Sequence, residues 1–237
     1  MRYSVVIPAL DEQRLVAAAV ASVLRPGATE VIVVDGASDD DTCAVAARAG
    51  ARVVRSRAGR GIQLDHGARC ATGDWLVFLH ADTRLEAGWE QSLERLPADV
   101  VGGAFRLAVD SRRWRYRLVE AGVAARCRLF RTPYGDQGIF VRRHLYARCG
   151  GFPPWPLMED VVFVRRLRCL GRLAFPTQRA FTSPRRAESG GFVATNLQNW
   201  WLMALFACGR SPVDLAKRYR RAPAAGINEP QPPISRR

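Results

Sequence analysis

The chain has 237 residues, 48% hydrophobic and 24% charged, enough to bury a sizeable core and unlike the composition of a disordered chain. Its six cysteines show no CxxC or zinc-like spacing, and no apolar run nears the ~20 residues that cross a bilayer, so neither structural zinc nor a membrane span is expected. Net charge is +14, and beyond residue 110 there are 24 basic against 7 acidic residues, which points to an anionic partner on that side: a phosphate, a membrane surface or a nucleic acid.

In chain order, the first hundred residues alternate between two periods. Tyr3–Ile7 is a β-branched run stopped by Pro8, too short for a secretory leader, so a cytoplasmic location is expected. Leu15–Leu24 repeats apolar residues at helical spacing. Glu30–Val34 reads as a second strand, Thr42–Ala49 as an Ala-rich helix, Arg52–Val54 as a third strand, Ile62–Ala71 as a helix and Trp75–Leu79 as a fourth strand. Continuously apolar strands separated by helices imply an α/β fold with a mostly parallel central sheet and helices on both faces. Further on, Val100–Val109 predicts one long strand and Arg112–Phe130 a basic amphipathic helix. Gly138–Val141 and Leu173–Phe175 read as strands, and Val161–Leu170, Phe192–Ala207 and Val213–Arg220 as helices. A single domain over 1–221 is expected, its halves 1–96 and 97–221 set apart by the change of pattern, with a disordered tail (222–237).

In open parallel sheets, ligands bind beyond the carboxyl ends of the strands. That rule selects Pro8–Glu12, Asp35–Asp41 and His80–Thr83. Asp35 and Asp82 each end an apolar run, where an unpaired carboxylate is costly unless it has a task. On an extended segment His80 and Asp82 would point the same way and could share a divalent ion. The competing expectation is that Asp82 caps a helix starting near Leu85. Pro133-Tyr-Gly-Asp-Gln-Gly138 predicts a tight turn presenting Asp136 and Gln137 to a ligand, with a plain hairpin as the alternative.

These segments together resemble a known family. Ser4-Val-Val-Ile-Pro-Ala-Leu-Asp-Glu12 and Val31-Ile-Val-Val-Asp-Gly-Ala-Ser-Asp-Asp-Asp-Thr42 resemble the opening of family 2 glycosyltransferases of the GT-A fold. Phe78-Leu-His-Ala-Asp-Thr83 sits where that family keeps its aspartate-any-aspartate motif, and Leu157-Met-Glu-Asp-Val161 is similar to its acceptor-side Glu-Asp motif. The resemblance implies an inverting transfer of a sugar from a nucleotide-diphosphate donor to the hydroxyl of a small-molecule or lipid-linked acceptor. By it, Pro8, Ala9 and Glu12 line the nucleotide pocket, Asp35 accepts a hydrogen bond from the base, Asp82 holds a metal, and Asp160 is the catalytic base. His80 replaces the first aspartate of the motif, as a metal ligand or as a contact to ribose or phosphate. Imidazole suits Mn²⁺ better than Mg²⁺. Arg55, Arg57 and Arg60 are expected on the donor side, Arg185 and Arg186 are diphosphate candidates, and Glu159 is an orienting or structural acid. The motif set also resembles a soluble bacterial branch associated with arsenosugar biosynthesis.

Trp114, Leu118, Ala121, Ala125 and Leu129 fall on one helical stripe among arginines, and Phe192, Trp200, Trp201, Leu202, Leu205 and Phe206 form a second apolar element. Such stripes either face the core or rest on an anionic leaflet at the inner face of the membrane. Two other readings compete with the transferase. A nucleotidyltransferase would carry a Gly-rich basic loop after the first strand, where Pro8-Ala-Leu-Asp-Glu12 is acidic. A non-enzymatic basic module binding membrane or nucleic acid would leave Asp35, Asp82 and Asp160 without a role, and no nucleic-acid signature is present.

Overall fold

The computed structural model describes residues 1–24, 29–185, 188 and 192–221, and the expected tail at 222–237 lies outside them. The chain divides into two compact units, Met1–Ser183 and Pro184–Arg237. In the first unit β1 (Tyr3–Ala9), α1 (Val16–Val23), β2 (Thr29–Asp35), α2 (Thr42–Arg48), β3 (Arg52–Arg55), α3 (Arg60–Cys70) and β4 (Trp75–Phe78) alternate as the hydrophobic periods require. Then follow β5 (Thr83–Leu85), α4 (Trp89–Glu94), β6 (Val100–Ala104), β7 (Arg106–Val109), α5 (Trp114–Phe130) and a 3-10 turn at Gly135–Gln137. β8 (Ile139–Arg142), α6 (Arg143–Tyr146), α7 (Glu159–Arg168), β9 (Arg172–Ala174) and β10 (Arg179–Thr182) complete it. The second unit contains α8 (Phe192–Ala207) and α9 (Pro212–Arg221).

The main sheet runs β3-β2-β1-β4-β8-β6-β9, so the two expected halves share one sheet. β1 to β4 are parallel, β8 is antiparallel to both β4 and β6, and β9 is parallel to β6. Successive strand side chains point to opposite faces. Val5, Ile7, Val31, Val33 and Val77 therefore pack under α1 and α4 with Val16, Val20, Trp89 and Leu93. Val6, Ile32, Val34, Leu76 and Phe78 pack under α3, α6 and α7 with Leu64, Tyr146, Phe163 and Leu167. Both faces are covered, which is why these strands read as unbroken apolar runs.

The long strand expected over Val100–Val109 is in fact two. β6 stays in the main sheet, while β7 joins β5 and β10 in a three-stranded sheet that the sequence did not announce. The pivot is Phe105, fully buried, whose N–H donates to Gln137 O at 3.0 Å. Gly103 is squeezed between strands: a Cβ there would stand 1.8 Å from Ala174 O.

Two further expectations need correcting. No helix starts near Leu85; Asp82 precedes the strand β5, so it is not a helix cap. The α5 stripe does not face the core, because Trp114 is 74% exposed, Leu118 63% and Leu129 73%, while Tyr116 and Cys127 on the opposite side are buried. In α8 Leu202 is buried, whereas Trp200 and Trp201 are exposed. Among the described residues, no helix is long and apolar enough to cross a membrane.

Candidate active site

The carboxyl ends of β1, β2 and β4 bring Pro8 and Ala9, Asp35, and His80 to Asp82 to one edge of the sheet. Asp35 is separated from the β4 end by the intervening strand β1, ~10 Å at ordinary strand spacing. Asp35 itself is 1% exposed, and its carboxylate accepts from the N–H groups of Ala37 and Ser38 and from Ser38 Oγ at 2.5 Å. Its first task is thus to hold its own turn.

That turn is laced to the loop after β1. Ser38 Oγ accepts from Asp11 N–H at 3.0 Å, Thr42 Oγ1 from Glu12 N–H at 2.8 Å, and Asp40 Oδ2 from Gln13 N–H at 3.2 Å. In return Asp11 Oδ1 accepts from Asp39 N–H at 2.9 Å and Gln13 Oε1 from Asp41 N–H at 3.2 Å. The Ser38–Thr42 run is therefore a clasp between two loops, which sequence reading did not detect; its signal was the run of short polar side chains able to bond nearby backbone. Gln63 of α3 adds a third tie: its Nε2 donates to Ala9 O and to Val34 O, both at 2.8 Å.

His80 and Asp82 do not lie on an extended segment. Thr83 N–H donates to His80 O at 3.0 Å, so the four residues form a tight turn and the alternation argument fails. The turn nevertheless keeps both side chains half-buried at the β4 end, and Ser183 N–H fixes Asp82 O at 3.1 Å.

The Glu159-Asp160 segment meets the His80–Thr83 turn at Gly135. Its N–H donates to Asp160 Oδ2 at 2.6 Å, and a Cβ on Gly135 would lie 3.0 Å from His80 Nε2 and 3.2 Å from Asp160 Oδ2. The imidazole and the carboxylate thus both close on the space that a side chain at Gly135 would fill. Asp160 Oδ1 accepts from Val161 N–H at 2.8 Å. Beside it Glu159, fully buried in the first turn of α7, pairs with Arg60 Nε from the first turn of α3. Burial pushes the Glu159 carboxyl up, Arg60 opposes the shift and Asp160 adds to it. Arg60, expected on the donor phosphates, is therefore held at the centre by Glu159. Arg55 and Arg57 are exposed. Arg185 is exposed in the second unit, and Arg186 lies outside the described residues.

Gln137 is not presented to a ligand. It is 2% exposed; its Oε1 accepts from Tyr134 N–H at 3.1 Å and Arg126 Nη2 at 3.2 Å, and its Nε2 donates to Phe105 O at 3.2 Å. Arg126, whose guanidinium stacks 3.6 Å from the Tyr134 ring centroid, completes this scaffold for the Gly135 turn. Backbone strain gathers here too. Of the four non-glycine residues with positive φ among those described, Asp11 (54°), Ala37 (70°) and Met158 (66°) border the site.

Asp136 is half-buried, and its Oδ1 is shut from solvent without a hydrogen-bond partner. Desolvation raises its pKa to about 6, Arg126 and Arg60 work against the shift, and Asp160 works with it. A raised carboxyl favours folding below its unfolded pKa, and that contribution is lost as pH rises through about 6. Asp136→Asn should therefore raise the Tm by several degrees at about pH 8, roughly 1–3 kcal/mol, and change little near pH 4. Equal melting shifts at both pH values would show that Asp136 ionises normally.

A family model described as glycosyl transferase family 2 matches residues 4–152. A PGL/p-HBAD biosynthesis glycosyltransferase of Mycobacterium bovis is 31% identical over 193 residues, covering 74% of this chain and 72% of that protein. An uncharacterised glycosyltransferase of Mycobacterium tuberculosis is 37% identical over 102 residues, and the chain spans only 44% of that relative's length. Among solved structures, glucosyl-3-phosphoglycerate synthase from Mycobacterium tuberculosis, in complex with Mg²⁺ and uridine diphosphate, is similar with a TM-score of 0.57 at 22% identity, over 76% of this chain and 71% of that one. S. aureus TarS 1-349 is similar with a TM-score of 0.59 at 14% identity, over 78% and 61%. At such identities the likeness speaks for the fold, which is the expected GT-A type.

Proposed function

The chain belongs to glycosyl transferase family 2, and from that premise we propose that it moves a sugar from a nucleoside diphosphate to an acceptor hydroxyl with inversion. As a glycosyltransferase it is neither the nucleotidyltransferase nor the non-enzymatic basic module left open by composition. One observation carries the proposal: His80 from the donor motif and Asp160 from the acceptor motif close on Gly135. The base and the turn that would hold the leaving diphosphate then border one small gap, close enough for a single displacement. Asp160 takes the acceptor proton; each of its oxygens accepts one backbone N–H and retains a second lone pair. Glu159 and Arg60 hold α7 so that Asp160 stays aimed at the turn. Pro8, Ala9, Glu12 and Asp35 form the rim for the nucleotide, with the clasp from Ser38 to Thr42 keeping that rim open and rigid. Asp136 faces the transferred sugar or the acceptor.

A divalent cation fits the residues present. Among the described residues no three His, Cys, Asp or Glu side chains form an all-protein metal cage. A Mg²⁺-type ion carried on a diphosphate needs only one or two protein donors. Asp82 and His80, in one turn at the β4 end, are the two that would hold it, His80 favouring Mn²⁺. When bound, such an ion neutralises charge on the departing diphosphate. Structures similar to this one are described with Mg²⁺ or Mn²⁺ and uridine diphosphate, which makes that nucleotide and Mn²⁺ the first to test. For the acceptor, the motif resemblance to the arsenosugar-associated branch puts a small soluble hydroxyl compound first.

The test is calorimetry with uridine, guanosine, cytidine and thymidine diphosphates, each with Mn²⁺ and with chelator. One nucleotide is expected to bind with a Kd of ~1 µM–1 mM and to weaken on chelation. Binding of none of the four would remove the donor site from the ends of β1, β2 and β4.

A further inference from the structure

Helix α5 presents its apolar stripe to solvent. Trp114, Leu118, Leu129 and Phe130 are 74%, 63%, 73% and 64% exposed, and Ala121, Gly122 and Ala125 between them are exposed as well. At 3.6 residues per turn, residues 114, 118, 121, 125 and 129 share one line ~22 Å long. Small residues in the middle make it flat, and large ones stand at both ends. Exposed arginines flank it: Arg112 and Arg113 before the helix, Arg128 along one side and Arg131 after it, while the Arg117 guanidinium is held against Val109 O and Ser111 O. The only acid on α5, Glu120, is turned inward, where Oε1 accepts from Val109 N–H at 2.7 Å and Oε2 pairs with Arg117 at 2.9 Å. The outward face therefore carries apolar and positive groups alone.

We propose that this face docks the protein on an anionic bilayer, the apolar stripe entering the interface while the arginines meet lipid phosphates. A second copy is a poor occupant, because isologous pairing of two such faces sets arginine against arginine without an acid to answer it. A nucleic acid would leave the Trp114–Leu129 stripe against phosphate. The opposite face of α5 holds the acceptor-side turn through Arg126 and Cys127, which bond Gln137. Docking therefore places that turn about one helix diameter, ~10 Å, from the lipid surface.

The test is co-sedimentation of the full chain with phosphatidylcholine vesicles, with and without phosphatidylglycerol, in the absence of nucleotide. Binding should be at least roughly tenfold tighter to the anionic vesicles and should fall as salt is added. Both a Trp114→Ser, Leu118→Ser, Leu129→Ser triple variant and an Arg112→Glu, Arg128→Glu double variant should lose at least roughly tenfold. Their melting temperatures and uridine diphosphate affinity should match the wild type, which separates failed docking from a failed donor site. Three results would overturn the proposal: no binding of the wild type to either vesicle, equal binding by the triple variant, or a wild-type dimer in light scattering that the triple variant turns into monomer.

Discussion

Asp160→Asn is expected to lower kcat by ~10²–10⁴-fold while nucleotide affinity stays within about twofold of the wild type. The size follows from losing a positioned base, and the selectivity from where Asp160 sits. It belongs to the first turn of α7 and touches the Gly135 turn, not the loops after β1 and β2. Asparagine is the informative replacement because its amide oxygen can still accept from Gly135 N–H, so the turn keeps its anchor. What the amide loses is the charge and the lone pair that would take a proton. The Asp160→Ala variant removes the anchor as well and should also loosen the turn, visible as a lower Tm. Pre-steady-state measurement of a single turnover, combined with calorimetry, separates the two effects. An Asp160→Asn variant with wild-type kcat would move the base elsewhere, and Asp136 would then be the first group to test.

Asp82→Asn should act on the other half of the reaction. The expected result is loss of the Mn²⁺-dependent part of nucleotide affinity, on the order of 10–100-fold, with little change in binding measured under chelation. The turn itself should survive, since it is set by main-chain bonds from Thr83 to His80 and from Ser183 to Asp82. Titrating the nucleotide with and without Mn²⁺ in wild type and variant gives the ratio directly. An unchanged ratio would leave His80 or the nucleotide alone to hold the cation.

Much of the donor side was legible in the chain. Apolar runs ended by Asp35 and, near Asp82, by His80 marked strand ends at a ligand edge, and the sheet places them there. The acceptor side was legible as a motif but not as a structure. Arg60 and Glu159 are 99 residues apart, and neither segment announces that the other neutralises it. Gln137 was expected to face a ligand, yet it is buried as the keystone of its turn, because Phe105 and Arg126 arrive from remote elements to satisfy it. The break of Val100–Val109 into two strands escaped for a similar reason. Its apolar pattern is continuous, and only the packing of Phe105 between Trp89 and Phe140 decides where the chain changes sheets.

By itself the sequence determined the period of the longer elements, the alternating α/β order of the first four strands and the family, because hydrophobic periodicity and short motifs are local and survive without contacts. Tertiary structure alone decided which charges are paired, which face of α5 meets solvent and where His80 and Asp160 meet. Those outcomes depend on burial and on distances between segments far apart in the chain. The energy of a charge or an apolar side chain is set by what surrounds it, and no residue carries its surroundings in its own name.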